Sequence, residues 1–244
     1  MPAPRFYCPD PPAPGGTLEL PSEAAHHARR VLRLRTNDAV QVFDGKGAAL
    51  NGKICEIDNK HVLLHELQTC IADAEPALRI VLAQAMCGSE KMDWVMQKAT
   101  ELGATEIVPV QTQRSVARLS GERADKRATH WRQVAIAACE QCGRNTLPLI
   151  GPPRELGGWL TEVRGLEAAR FVLLPEGDSA LGRQTPKRTV VLLVGPEGGL
   201  DDNEVKMARL AGFIPVRMGN RVLRTETAAM ASLAAVQTLW GDFS

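Results

Sequence analysis

Apolar residues follow two different periods along the chain. Between residues 40 and 67 they come in short runs broken by turn residues: Val40-Gln41-Val42-Phe43, a turn at Asp44-Gly45-Lys46-Gly47, Gly52 to Ile57, a turn at Asp58-Asn59-Lys60, and His61 to Leu67. Such spacing predicts the strands of a small barrel or meander. One short helix over Ser22 to Arg33 precedes them, with Ser22 as its cap. The polar, proline-ended segment Ala72-Asp73-Ala74-Glu75-Pro76 separates a domain over 1–72 from one over 76–244. Beyond it, buried strands alternate with amphipathic helices. Strands are expected at Leu78 to Ala85, Thr105 to Val110, Phe171 to Leu174, Val190 to Val194 and Gly212 to Val216. Helices are expected at Glu90 to Leu102, Ala124 to Cys142, Glu155 to Val163, from the capped start Asp201-Asp202-Asn203-Glu204 to Gly212, and at Thr225 to Trp240. Ser89 is the expected cap of the first. Met92, Val95, Met96, Ala99 and Leu102 form its apolar stripe, so these methionines read as core. This alternation predicts an α/β fold with a mostly parallel sheet.

Composition narrows the picture a little. A chain of 244 residues with formal net charge +1 can bury a core, and its overall charge selects no partner. Local charge is more informative. Arg29, Arg30, Arg33 and Arg35 cluster beside His26 and His27, and Arg114, Arg118, Arg123, Lys126, Arg127 and Arg132 form a second basic stretch. Basic clusters on a neutral protein suit localised phosphate contacts. Six cysteines without a signal-like apolar stretch read as reduced thiols of a cytoplasmic protein. No stretch reaches the roughly 18 to 20 apolar residues of a membrane span. Cys139 and Cys142 lack a second ligand pair at a suitable spacing, so no metal site is expected.

The chemistry concentrates in two loops. Gly195-Pro196-Glu197-Gly198-Gly199-Leu200 ends one buried strand. Met218-Gly219-Asn220-Arg221-Val222-Leu223-Arg224-Thr225-Glu226-Thr227-Ala228 follows another and opens an alanine-rich helix. Glycine loops at the carboxyl ends of neighbouring strands form the ligand crevice of open α/β sheets. Neither loop carries a P-loop or a dinucleotide fingerprint.

These two segments resemble the cofactor loops of the SPOUT, or trefoil-knotted, RNA methyltransferases. Glu90-Lys91-Met92-Asp93, Gln97-Lys98, Glu101-Leu102-Gly103, Cys139-Glu140-Gln141-Cys142-Gly143-Arg144-Asn145 and Pro4-Arg5-Phe6-Tyr7 narrow the resemblance to the RsmE family, over Arg5 to Gly241. The resemblance implies a PUA-like barrel, a C-terminal trefoil knot, S-adenosyl-L-methionine as cofactor, a homodimer, and methylation of uridine N3 in 16S rRNA of the small ribosomal subunit. It implies cofactor contacts at Leu173, Pro175, Gly195, Glu197, Gly199, Met218, Gly219, Leu223, Thr225, Thr227 and Ala228. Catalytic positions are Arg5, Arg224 and Glu226. Either arginine would stabilise charge on the uracil oxygens, and Glu226 would offset the sulfonium charge or complement its helix N-terminus. RNA contacts are expected at Arg29, Arg30, Arg33, Lys91, Arg114, Arg144 and Asn145. Lys91, Glu101, Arg144 and Asn145 could equally hold a dimer. The last helix presents Ala229, Leu233, Val236 and Trp240, which fit a subunit contact or ordinary core packing. With aromatics at 4%, shape and phosphate recognition fit better than extended base stacking. The competing readings are a knotted methyltransferase for another RNA position, a non-catalytic RNA-binding assembly factor, and a phosphate-ligand enzyme on a Rossmann-like sheet.

Overall fold

A computed structural model describes residues 3–70, 75–185 and 187–243. Ala72, Asp73 and Ala74 of the expected boundary lie outside them. The chain divides into two compact units, one formed by residues up to Glu75 together with Ile136–Leu147, the other by Pro76–Ala135 and residues from Pro148 onward. The division expected from sequence, 1–72 and 76–244, thus differs at one place. Ile136, Cys139 and Leu147 bury their side chains against Phe43 and Ala49, which assigns that late segment to the first unit.

The first unit contains β1 (Arg5–Tyr7), β2 (Leu18–Glu19), α1 (Ser22–His26), β3 (Ala39–Phe43), β4 (Ala49–Ile57) and β5 (Val62–Cys70). The strands form one sheet in the order β1-β3-β4-β5-β2. β1 runs parallel to β3, and the other pairings are antiparallel. Val40 and Val42 turn inward onto Phe6, Ile54, Val62 and Leu64, as the period-two pattern requires. The turn after β3 is held by the Asp44 carboxylate, which accepts from the N–H groups of Lys46 (2.7 Å) and Ala48 (3.0 Å). The expected single helix from Ser22 to Arg33 is instead five α-helical residues followed by a π-helical turn, His27–Val31. There Leu32 N–H reaches back five residues to His27 O (3.1 Å), and Arg33 leaves with φ 53°. Pro21, not Ser22, occupies the cap position, without a side-chain hydrogen bond.

The second unit follows as β6 (Arg79–Ala85), α2 (Ser89–Glu101), β7 (Glu106–Gln111), α3 (Gly121–Cys142, whose last turns belong to the first unit), β8 (Leu149–Ile150), β9 (Arg154–Glu155), α4 (Leu156–Val163), β10 (Ala169–Leu173), β11 (Thr189–Val194), α5 (Asp202–Leu210), β12 (Ile214–Val216) and α6 (Thr225–Trp240). Its sheet runs β12-β10-β11-β6-β7-β8, with β9 also on β7, and every pairing is parallel. Both faces are covered, which is why β6 and β11 read as continuous apolar runs. Ile80, Leu82, Val190, Leu192 and Val194 meet α2, α6 and Trp131 of α3 on one face; Val81, Ala83, Val191 and Leu193 meet α4 and α5 on the other. Burying one such side chain contributes roughly 1.5–3 kcal/mol.

Two expectations are refined here and one is met. Gly88, not Ser89, sits at the cap of α2, while α5 has the full capping box between Asp201 and Glu204. The apolar face of α6 is internal: Ala229, Leu233 and Val236 are fully buried, and Trp240 packs against Phe171 at 5.8 Å. It therefore serves the core of its own chain. Among the described residues, no helix is long and apolar enough to cross a membrane.

Candidate active site

A cavity of about 610 Å³ opens at the carboxyl ends of three adjacent strands, β12, β10 and β11. Leu173 and Pro175 from the end of β10, the loop Gly195–Leu200 after β11, and the segment from Arg217 to Ala228 after β12 form its walls. Gly199 has φ +70°, which disfavours any side chain, and a Cβ on Gly195 would sit 3.1 Å from Leu200 N. The loop thereby brings backbone N–H and C=O groups to the cavity wall.

A buried hydrogen-bond chain fixes this loop. Gln84, fully buried at the end of β6, donates from Nε2 to Thr225 Oγ1 (2.8 Å), and Thr225 donates to Gly195 O (2.6 Å). Three separate chain segments meet in that relay: the end of β6, the end of β11 and the first turn of α6. Glu197 anchors the other side of the loop. Its Oε1 accepts from Gly88 N–H (3.2 Å) and from Lys91 Nζ (3.0 Å) on α2. Burial alone would raise the Glu197 carboxyl, but its own backbone N–H, the Lys91 ammonium and Gly88 N–H outweigh it and hold it below the usual range. The same hydrogen bond raises Lys91 above the ordinary lysine value. Lys91 Nζ also lies 3.9 Å from Glu226 Oε2, a buried oxygen with no hydrogen-bond partner among the described residues. Nearby, burial foremost, with Glu197 and Glu226 adding to it, pushes the Cys87 thiol up to about 12, so it stays neutral and unreactive.

The expected residues divide clearly. Leu173, Pro175, Gly195, Glu197, Gly199, Met218, Leu223, Thr225 and Ala228 line the cavity, as do Arg224, Lys91 and Arg114. Gly219, Thr227 and Glu226 are not in its lining, although they lie within the same loop-helix segment. Arg114 is held by Gly198 O (2.8 Å). Lys98 pairs with Glu101 within α2 (2.8 Å).

The first unit holds the remaining candidates. Arg5 Nη2 donates to Arg144 O (2.9 Å) and Asn145 Oδ1 (2.7 Å), and its guanidinium lies 5.0 Å from the centre of the Phe43 ring. Arg144 and Asn145 were expected at an RNA surface, but they are 3% and 1% exposed. Glu75 holds both, accepting from Asn145 N–H (2.6 Å) and lying 3.5 Å from Arg144 Nε. Arg29 is likewise committed, to Ala25 O (3.1 Å) and Asp58 O (2.9 Å). Arg30, Arg33 and Arg35 remain exposed. Sequence reasoning missed Gln84, because an isolated glutamine inside an apolar strand carries no motif. It also missed Arg217 and Arg221 as cavity residues, although both lie in or beside the loop it singled out.

Fold and site together define a class: a parallel α/β protein that takes a small ligand into glycine loops at the carboxyl ends of neighbouring strands. The family described as RNA methyltransferase domain matches residues 74–237, and the RNA methyltransferase PUA domain matches residues 20–67. The chain is 32% identical to ribosomal RNA small subunit methyltransferase E of Buchnera aphidicola subsp. Schizaphis graminum, over 93% of this chain and 92% of that protein. It is 30% identical to the Synechocystis protein of the same name, over 91% and 73%. The crystal structure of ribosomal RNA small subunit methyltransferase E from Neisseria gonorrhoeae bound to S-adenosyl methionine superimposes with a TM-score of 0.94 at 40% identity, covering 99% of this chain and all of that one. A putative methyltransferase from Legionella pneumophila, in complex with the same cofactor, gives 0.92 at 34% identity over the full length of both. The chain belongs to the ribosomal RNA small subunit methyltransferase E family.

Proposed function

We propose that this protein transfers the methyl group of S-adenosyl-L-methionine to N3 of a uridine in 16S rRNA, acting on the small ribosomal subunit in the cytoplasm. The observation that carries the reading is the cavity itself, whose walls combine apolar side chains with glycine-loop backbone in a family that includes a cofactor-bound member of the same name. The residues fit the cofactor. Leu173, Val194, Val216 and Leu223 offer apolar wall, the Gly195–Gly199 backbone offers polar groups to the edge of a neutral base, and the volume lies within the range of small-molecule sites. When bound, the cofactor supplies an electrophilic methyl group on a cationic sulfur.

The chain's own work is alignment and charge. Holding donor and acceptor in line can account for about 7–11 kcal/mol in well-oriented model reactions. The relay Gln84–Thr225–Gly195 and the anchor Gly88–Glu197–Lys91 keep the loop rigid for that purpose. Arg224, exposed at the cavity wall, takes the role of stabilising negative charge on the uracil oxygens as N3 loses its proton. Arg5, considered for that role from sequence, acts instead as a structural clasp of the first unit, because its Nη2 already donates to Arg144 and Asn145. Glu226 contributes negative charge in the first turn of α6, where it also complements the helix N-terminus. Arg30 and Arg33 of the PUA-like unit contact RNA phosphates. The knot implied by the resemblance is supported by the path of the chain, which leaves edge strand β12 and returns at Thr225 to the ends of β6 and β11. A homodimer, implied by the same resemblance, would cover Trp94 and Leu239, which are 42% and 45% exposed.

Transfer of labelled methyl from S-adenosylmethionine to unmethylated small subunits and to naked 16S rRNA, with the nucleoside identified, tests the reading. N3-methyluridine is the expected product. Another methylated nucleoside would favour the knotted methyltransferase for a different RNA position, and cofactor-independent RNA binding without transfer would favour an assembly factor.

A further inference from the structure

The cavity carries more positive charge than its cofactor can use. Its lining holds five cationic side chains, Lys91, Arg114, Arg217, Arg221 and Arg224, against two carboxylates, Glu176 and Glu197. Two of the cations are committed, Lys91 to Glu197 and Arg114 to Gly198 O. Arg217, Arg221 and Arg224 are exposed and have neither an ion-pair nor a side-chain hydrogen-bond partner among the described residues. Backbone structure presents two of them: Arg217 N–H is tied to Ser179 O (3.0 Å), and Arg224 forms the cap of α6. S-adenosylmethionine has a sulfonium, an ammonium and a single carboxylate, so it is itself a net cation. A surplus of arginines around a cationic ligand is unfavourable unless an anion joins it.

We infer that Arg217 and Arg221 form a phosphate clamp at the mouth of the cavity, gripping the RNA backbone on either side of the nucleotide being methylated. The inference rests on the methyltransferase reading and deepens it, because it assigns the substrate backbone to two residues of the catalytic unit itself. Guanidinium groups are well suited to such a clamp, since they stay charged and their forked donors match phosphate oxygens. Arg224, three residues further along the chain at the cap of α6, is left to the uracil ring. The cofactor's carboxylate is the other anion these arginines could hold, and the experiment separates the two sources.

Full-length protein with Arg217→Gln and Arg221→Gln, singly and together, would be titrated with in-vitro transcribed 16S rRNA over a range of salt concentrations. Cofactor affinity would be read by calorimetry and folding by thermal melting. The double variant is expected to bind RNA roughly tenfold more weakly, with the slope of log affinity against log salt flatter by about 0.7 for each arginine on a single strand. Cofactor affinity should hold or rise slightly, because two charges that repel the cationic cofactor leave the cavity, and the melting temperature should stay at the wild-type value. Lysine at both positions should restore the slope, because the charge returns. RNA affinity and slope untouched in the double variant would overturn the clamp, and a fall in cofactor affinity alone would reassign the arginines to the carboxylate. If the unaltered protein transfers no methyl group to small-subunit RNA, the parent reading fails and the clamp with it. If transfer persists while the variants change nothing, only the clamp fails.

Discussion

Thr225 sits where three chain segments meet, and its hydroxyl is used twice, accepting from Gln84 (2.8 Å) and donating to Gly195 O (2.6 Å). Thr225→Val keeps the shape but leaves a buried amide N–H and a carbonyl without their partner. Chemical denaturation should show a loss of about 2 kcal/mol, and calorimetry should show weaker cofactor binding, because the released carbonyl belongs to the cavity wall. Unchanged cofactor affinity in a destabilised variant would mean that the relay serves the fold alone. The Glu197–Lys91 pair makes a pH prediction whose sign follows from its two shifts. Glu197 lies below its usual value, so its contribution is present above the unfolded carboxylate value of about 4.3 and is lost as pH falls through the folded one. Lys91 lies above its usual value, so its contribution is complete below about 10.4 and is lost as pH rises through the folded one. Cofactor affinity should therefore show no change from this pair across the neutral range and weaken in acid, and Glu197→Gln should remove the acid limb. Legibility at this scale tracks motif density. The two glycine loops announced themselves, and most of their residues line the cavity. Arg144 and Asn145 misled, because a polar Gly-Arg-Asn stretch looks exposed in sequence, whereas Glu75, some 70 positions earlier, holds it inside.

At the scale of elements, α5 and the basic turn after α1 illustrate opposite outcomes. The Asp201–Glu204 capping box was readable in four residues, and Glu204 does more than cap: its Oε1 accepts from Gln113 N–H (2.7 Å), tying the loop after β7 to α5. Asp201→Ala should lower unfolding free energy by about 1 kcal/mol without changing cofactor affinity, and a larger loss would show that the loop moves with the cap. The arginines around α1 separate by what they touch. Arg30 and Arg33 are exposed, whereas Arg29 braces Ala25 O and Asp58 O. Replacing Arg30 and Arg33 with Gln should weaken RNA binding and flatten its salt dependence. Arg29→Gln should lower the melting temperature and leave the salt slope intact; a flattened slope would return Arg29 to the RNA surface. Sequence could locate this helix but not its form, since the π turn at His27–Val31 depends on tertiary packing of Ala25 and Ala28. The short strands β1, β2, β8 and β9 escaped for a related reason: two or three residues are too few for a period to appear, and only pairing defines them.

For the whole molecule, the consequential finding is that the compact units do not coincide with the linear division of the chain. The segment matching the RNA methyltransferase family begins at residue 74, yet Ile136–Leu147 within it completes the core of the first unit. Alternating strands and helices made the parallel sheet legible, but no local pattern could show that the end of α3 packs on Phe43 and Ala49. This makes the fate of a truncated chain predictable. A fragment over 76–244 contains every residue of the cavity lining, so by sequence it is a self-sufficient catalytic domain. It would nevertheless lose Phe43 and Ala49 from around Ile136, Cys139 and Leu147, together with Arg5 and Glu75 from around Arg144 and Asn145. Ile136, Cys139 and Leu147, at most 8% exposed in the full chain, would then face water, and re-exposing a large apolar side chain costs roughly 1.5–3 kcal/mol each. That is a large share of the ~5–15 kcal/mol by which a typical protein is stable. The fragment should therefore aggregate or melt well below the full chain, and Ile136→Gln with Leu147→Gln, which makes the uncovered face polar, should partly rescue its solubility. Circular dichroism melts of the three proteins, with and without S-adenosylmethionine, read the outcome directly. A fragment that melts cooperatively at the temperature of the full chain would show that Ile136–Leu147 needs no cover and that the catalytic segment folds alone.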